Sequence, residues 1–333
     1  MLVKPEAAPA LFSGLYALGS LSAADQDAFP ALIRRDGSVV DLRRALDDAT
    51  LTMLGVMEDW DRLSATFAEL ADRPAGDSPF VDAFQVHAPI APRQVLQSGA
   101  NYRRHVIDLH VAHRDGSDGL SAEEARAEAA EIMDRRATED LPYVFIGLPS
   151  SITGPYDDVV LPRWAEKPDW ELELAAVIGR PAFQVPVEQA LDHVAGYTIA
   201  NDLTDRATVF RRDMPQIGTD WLRSKNAPGF TPLGPWIVPA QSIASPDDLQ
   251  VTLELNGETM QDESTKDMIF SVARLVSYIS QNVRLLPGDL VLTGSPAGNG
   301  MHWGRLLRDG DVMDATITGL GAQRTRCVAE VTA

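Results

Sequence analysis

From about residue 86 onward the chain alternates short β-branched or aromatic runs with Gly/Pro turns, as in "GYTIAND", "LQVTLELNGETM", "DLVLTGSPAG" and "DVMDATITGLG". Runs this short, bounded by turn formers, predict strands. Asn256 and Gly257 separate two of them and predict a hairpin turn. Two helices interrupt the pattern. Ser121 with Glu124 forms a capping box ahead of "AEEARAEAAEIMDRR", an Ala/Glu-rich and mainly solvated segment. A second helix, over about 267–282, places Ile269, Ala273, Val276 and Ile279 or Ser280 on one side and stops at "LPGD". Residues 1–85 read as a small α/β unit. "GLYALGS" and "FPALIRRDGSVVDL" supply strands around an Asp-Gly turn, amphipathic helical stretches follow over about 42–70, and "ADRPAGDSP" at 71–79 is the linker. The pattern predicts an α+β, mostly β chain: a small N-terminal domain, 1–85, and a larger one, 86–333.

Composition narrows the function classes. The 333 residues are 45% hydrophobic and 23% charged, near the globular average, and 24 Gly with 22 Pro imply many turns without a disordered composition. Lys and Arg number 29 against 48 Asp and Glu, so the net charge of -19 repels phosphate backbones and anionic lipid, and no local basic patch offsets it. No run approaches the roughly 18 apolar residues of a membrane span. Neither a nucleic acid nor a membrane is the expected partner. The stretch "LFSGLYALG" is too short and too broken for a signal peptide, and a single cysteine, Cys327, forms neither an internal disulfide nor a zinc knuckle. A cytoplasmic protein is expected, with any metal held by His or carboxylate.

The most informative stretch is "KPDWELELAAVIG". In a strand, residues two apart face the same side, so Glu171 and Glu173 project together while Leu172 and Leu174 pack the other face. Two carboxylates ~4 Å apart at an effective dielectric of ~20 repel by about 4 kcal/mol, which a cation, a shared proton or water must relieve. Spacing alone also fits an ordinary exposed strand face. A third carboxylate, Asp202, closes the apolar run "VAGYTIAND" where a strand gives way to a loop. Three hard oxygen ligands without a thiolate suit Mg2+, Mn2+ or Ca2+ better than Zn2+.

In order and spacing, "NYRRHVID", "ELELAAVIG", "GYTIANDLTDR", "RSKNAPGFTPLGPW", "LELNGETMQDESTKDMIF" and "LLPGDLVLTGSPAGNG" resemble the fumarylacetoacetate hydrolase family, over about residues 92–331. The resemblance implies a mixed β-sandwich roll, a homodimer, one divalent cation, and cleavage or decarboxylation of acylpyruvates and related oxoacids. It assigns the metal to Glu171, Glu173 and Asp202. Some members that bind Ca2+ carry a further Asp where this chain has Ser98, so Mg2+ or Mn2+ is expected ahead of Ca2+. It makes His105 and Asp108 a catalytic dyad, with an Asp where Glu is more usual. It places Arg206, Lys225, Thr293, Gly294 and Ser295 around the acid end of the substrate. Ser295 stands where Thr is more usual, Asn299 where Val is common, and Gly147 where many members have Lys. His110 and His113 are read as surface residues of a lid over about 99–140, not as zinc ligands with His105.

The expected function is divalent-metal-dependent hydrolysis of a carbon-carbon bond in an acylpyruvate or fumarylacetoacetate-like β-diketone acid, with water activated by His105 and Asp108. Three alternatives stand beside it: a decarboxylase of oxaloacetate or a related oxoacid, a 2-oxo sugar acid dehydratase or isomerase, and a noncatalytic oxoacid-binding protein. No Gly-Lys-Ser/Thr loop, dinucleotide fingerprint or Gly-x-Ser-x-Gly elbow occurs. Gln261 is read as structural.

Overall fold

A computed structural model describes residues 11–112 and 121–331. Its centre is a six-stranded sheet in the order Val238–Pro239, Val194–Asn201, Leu172–Ile178, Leu290–Leu292, Val95–Gly99, Tyr143–Gly147. All its pairs are antiparallel except that of Leu290–Leu292 with Val95–Gly99. The strand Leu172–Ile178 is buried along its whole length, and its near-continuous apolar sequence fits a strand covered on both faces. Leu172, Leu174, Ala176 and Ile178 join the main core, which extends through Val251, Leu253 and Leu255 of a second, five-stranded sheet. Ala175 and Val177 face the other way, against Met57, Trp60, Leu63 and Phe67 of the N-terminal helices.

The five-stranded sheet runs Glu258–Ser264, Gln250–Leu255, Val312–Ile317, Gly321–Ala329, Val159–Leu161. Its first hairpin turns at Asn256 and Gly257, with φ of 55° and 83°, as the Asn-Gly pair predicts. Gln261 ties the two sheets: its Oε1 accepts from Leu172 N at 3.2 Å and its Nε2 donates to Ser295 Oγ and Pro296 O, each at 2.9 Å. A four-stranded sheet, Val39–Asp41, Phe29–Arg34, Tyr16–Ser22 and Gln85–His87, carries the N-terminal helices. Leu18 on it bridges to Ile237, which seats this sheet on the larger body. The chain is thus α+β and mostly β, without a closed barrel.

One helix expectation is met and one needs correction. The helical stretches over 42–70 are three helices, Leu42–Ala45, Met53–Glu58 and Trp60–Asp72; Asp41 and Thr52 cap the first two by accepting backbone N–H bonds, and the third starts without a side-chain cap. The helix expected over 267–282 begins only at Val272, where the Ser271 hydroxyl accepts from Arg274 N. Ile269 and Phe270 precede it, since Asn101 holds their backbone N–H groups instead. The capping box at Ser121 forms as read, opening the helix Ala122–Glu139. Among the described residues no helix is long and apolar enough to cross a membrane.

Phe67 is wholly buried between Tyr16 and Trp60, with ring centroids at 6.1 and 6.2 Å. Replacing it by alanine leaves a cavity, and Phe67→Ala is expected to destabilise the protein by about 3–5 kcal/mol. Denaturant titration checks this. A loss below about 1 kcal/mol is incompatible with Phe67 anchoring the N-terminal helices.

Candidate metal centre

Four adjacent strands of the six-stranded sheet open onto one end, and the chemistry-bearing residues collect there. Glu171 immediately precedes Leu172–Ile178, Glu173 lies within it, and Asp202 follows Val194–Asn201. The antiparallel register pairs Leu172 with Asn201 and Glu173 with Ala200. It is extended past the strand end by Asp202 N donating to Glu171 O at 2.9 Å and Glu171 N donating to Asn201 Oδ1 at 3.0 Å. One carboxylate oxygen from each of Glu171, Glu173 and Asp202 can be chosen so that all lie within 4.8 Å of one another. Thr293 and Gly294 arrive from Leu290–Leu292, and Gly294 N donates to Glu173 Oε2 at 2.7 Å.

Two cations face this cluster. Lys225, at the end of the helix Trp221–Lys225, places Nζ at 2.6 Å from Glu171 Oε2, 2.5 Å from Asp202 Oδ2 and 3.1 Å from Asp202 O. Its ammonium also lies over the rings of Phe145 and Trp221, at 5.6 and 5.8 Å from their centroids. Arg206 spans Asp169 Oδ2 at 2.8 Å and Glu171 Oε1 at 2.5 Å. Asp169 in turn accepts from Gly300 N at 2.5 Å, fixing the start of the short helix Gly300–Trp303. Arg206 and Lys225, expected beside the acid end of a substrate, are therefore also the groups that neutralise the carboxylates.

Burial alone would raise Glu171, but Arg206 and Lys225 outweigh it and hold this carboxyl down at about 2. Glu173 has no ion-pair partner among the described residues. Burial and the neighbouring Asp202 carboxylate push it well above the usual carboxylate range. Asp202 is pushed up to about 6, burial and Glu171 prevailing over Lys225. Four carboxylates, Asp169, Glu171, Glu173 and Asp202, against two cations, Arg206 and Lys225, leave a formal charge of −2 in a buried pocket. A hard divalent cation matches that charge and the all-oxygen donor set. The residues present fit such an ion, since each carboxylate oxygen keeps a lone pair beyond its hydrogen bond.

His105 projects from the helix Arg103–Ala112 into the field of Glu171 and Arg206. Burial pushes its imidazole down to about 4, against the pull of the Glu171 carboxylate, so it is neutral at neutral pH. The expected contact with Asp108 is not made. Asp108 Oδ1 pairs with Arg126 Nη1 at 2.7 Å, and no hydrogen bond joins Asp108 to His105 among the described residues. The shorter Asp side chain is captured by the neighbouring helix Ala122–Glu139, which also offers Asp134 to Arg103 at 2.8 Å. Thr293 and Ser295 are likewise engaged: Thr293 Oγ1 donates to Leu174 O at 2.9 Å and Ser295 Oγ accepts from Gln261. These two hydroxyls hold the Gly294 turn in place, and the backbone N–H of Gly294 is the group directed at a carboxylate. His110 is exposed, and His113, with the rest of 113–120 in the expected lid, lies outside the described residues.

Sequence reasoning missed four supporting residues. Asp169 extends the every-second-residue acidic series of 171 and 173 backward, and that spacing could have revealed it. Gln97 donates to Asp202 Oδ1 at 2.5 Å, and Asn201 and Asn101 fix the Glu171 and Thr293 backbones, yet neutral amides leave no signal in a single sequence.

Residues 94–328 match the family described as Fumarylacetoacetate (FAA) hydrolase C-terminal. The chain belongs to the fumarylacetoacetate hydrolase family. It is 42% identical over 298 residues, 89% of this chain and 90% of the other, to 2,4-didehydro-3-deoxy-L-rhamnonate hydrolase of Sphingomonas sp. (strain SKA58). It is 40% identical to the human Oxaloacetate tautomerase FAHD2B, mitochondrial, over 182 residues, which are 54% of this chain and 57% of that protein. The solved structure of fumarylacetoacetate hydrolase from psychrophilic Exiguobacterium antarcticum is similar with a TM-score of 0.71 at 28% identity, covering 95% of this chain and all of that one. Family relatives thus include both hydrolases and tautomerases.

A carboxyl whose folded pKa lies above its unfolded value contributes stability below the unfolded pKa and loses it as pH rises through the folded one. Glu173 and Asp202 both behave so, which makes the cation-free family member progressively strained as they ionise. A divalent cation competes with those protons. The rise in melting temperature on adding Mn2+ is therefore expected to grow from about pH 5 to about pH 8. Thermal unfolding across that range with Mn2+ or EDTA checks it, and an increment that is flat or shrinks with pH contradicts the assignment.

Proposed function

We propose that this chain hydrolyses the carbon-carbon bond of a 2,4-dioxo acid of the acylpyruvate type, using a divalent cation, Mg2+ or Mn2+ ahead of Ca2+, held by Glu171, Glu173 and Asp202. The observation that carries the reading is a half-buried imidazole, His105, kept neutral by burial and set beside the clustered carboxylates of Glu171, Glu173 and Asp202. The hydrolase of a 2,4-didehydro-3-deoxy sugar acid, similar over nine-tenths of both chains, supports it. When bound, the cation supplies Lewis-acid polarisation of the substrate's 2-oxo acid group.

The chain's own residues supply the rest. His105 accepts a proton from water, whose oxygen attacks the C4 carbonyl; the C3–C4 bond then breaks, its electron pair leaving on the three-carbon side. Returning the proton to C3 yields a carboxylic acid and a pyruvate-type product, so one water is consumed and nothing is oxidised. A base so placed is worth about 10² to 10⁴ in rate. Asp108 is assigned the role of orienting the imidazole once Arg126 releases it. Arg206 and Lys225 are assigned to the anionic end of the substrate, beside the turn of Thr293, Gly294 and Ser295 whose Gly294 N–H holds Glu173 in place, where fixed donors count most in a dry site.

Glu171→Gln is expected to weaken Mn2+ binding and to lower turnover of acylpyruvates together. His105→Ala is expected to keep Mn2+ affinity while lowering hydrolysis by about 10² to 10⁴. Loss of diketone-enol absorbance on a panel of acylpyruvates reads the hydrolysis, with CO2 release and oxaloacetate keto-enol interconversion followed in parallel. Turnover on oxaloacetate alone sinks hydrolysis: CO2 release spared by His105→Ala marks decarboxylation, and keto-enol interconversion without CO2 marks tautomerisation.

A further inference from the structure

The side chain that reaches the cluster without carrying charge is Gln97, on the strand Val95–Gly99. It is 1% exposed, and its Nε2 donates to Asp202 Oδ1 at 2.5 Å. Lys225 takes the other oxygen, Oδ2, so between them the two partners fix the plane of the Asp202 carboxylate. The amide oxygen, Oε1, has no hydrogen-bond partner in this buried position. Burying a primary amide with half its capacity unmet costs free energy, and such a group persists where something else is gained.

Room for this side chain is made by Gly147 on the neighbouring strand. The antiparallel register sets Gln97 opposite Phe145 and Val95 opposite Gly147, so Gln97 and Gly147 share a face of the sheet. A Cβ on residue 147 would lie 2.5 Å from Gln97 Oε1 and 2.8 Å from its Cδ. A side chain there requires the Gln97 amide to shift from the position in which it holds Asp202. The φ of Gly147 is not in the left-handed region, so the glycine is required for space and not for backbone freedom.

We infer that Gln97, seated over Gly147, is a positioning residue for Asp202 and sets how tightly the centre holds a divalent cation. The inference rests on the metal reading of the cluster. An amide orients the carboxylate without altering the residual charge of −2. A lysine or arginine in its place would bring that charge to −1 and weaken the attraction for the ion. Partners one step outside a metal's ligands commonly change affinity by about 10- to 100-fold, by fixing ligand orientation.

The test is Mn2+ titration, by calorimetry and by the electron paramagnetic resonance signal of free Mn2+, on wild type, Gln97→Leu, Gly147→Ala and the double variant. Each single substitution is expected to weaken Mn2+ binding about 10- to 100-fold. The double variant is expected to bind no more weakly than Gln97→Leu alone, since both act through one contact. Gly147→Ala removes no polar group and carries the test should Gln97→Leu fold poorly. Melting temperatures in EDTA separate this from a general loss of packing. Wild-type affinity in both single variants, or fully additive losses in the double, overturns the inference. Failure of the wild type itself to bind Mn2+ overturns the metal reading beneath it.

Discussion

Mutual repulsion among buried carboxylates is the constraint around which this end of the molecule is built. Glu171, Glu173 and Asp202 bring their oxygens within 4.8 Å of one another, and Asp169 stands behind them on Arg206. At an effective dielectric of ~20, each like-charged pair at ~4 Å opposes the fold by about 4 kcal/mol. Lys225 and Arg206 offset part of this, and they do so unevenly. Glu171 is held ionised from both sides, while Glu173 receives only the Gly294 N–H. The result is a pocket that is organised but still short of positive charge, which is the condition under which a divalent ion is both admitted and retained.

The sheet makes that concentration of charge possible by stiffness. The strand that carries Glu173 is covered on both faces, by the second sheet on one side and the N-terminal helices on the other. Its end cannot splay to relieve repulsion without breaking pairing to Val194–Asn201 and the two bonds that Thr293 N and Oγ1 donate to Leu174 O. Gln261, Asn201 and Asn101 add cross-ties where the strands run out, so the backbone stays fixed past the last ladder bond. The N-terminal sheet contributes indirectly: it supplies no group to the cluster, but its helices close the face on which Ala175 and Val177 lie.

Much of this was legible in the sequence, and the parts that were not share a cause. The acidic alternation at 171 and 173 is a local signal with a period, and the third carboxylate sits at a recognisable strand end, so the cluster is legible in the sequence. The hairpin at Asn256 and the capping box at Ser121 were legible for the same reason, being specified by residues a few positions apart. What could not be read depended on distant partners. Whether Asp108 turns toward His105 or toward Arg126 is settled by how two helices pack. The start of the helix at Val272 is settled by Asn101, far away in the chain, binding Phe270 N first. The helical stretches over 42–70 follow from periodicity, but the break at Thr52, whose side chain caps a new helix, does not.

The relation between hydrolysis and tautomerisation in this family follows from the same electrostatics. Both reactions begin by stabilising negative charge on a 2-oxo acid, and under the proposed reading a cation at the carboxylates, with Arg206 and Lys225, would serve that need in either case. They diverge at the proton. Tautomerisation needs a group that removes and returns a proton on carbon, whereas hydrolysis needs a base that deprotonates water. His105 is neutral because burial opposes its charge, and it lies on a helix whose continuation, after 113–120, packs back through Arg126 and Asp134. Its basicity therefore depends on what that helix pair lets near it. With Asp108 held by Arg126 the imidazole lacks a hydrogen-bonded carboxylate, and under the proposed reading such a partner would stabilise its imidazolium form. In this chain the partner of that one acidic side chain is Arg126, while the carboxylate cluster is held separately by Arg206 and Lys225.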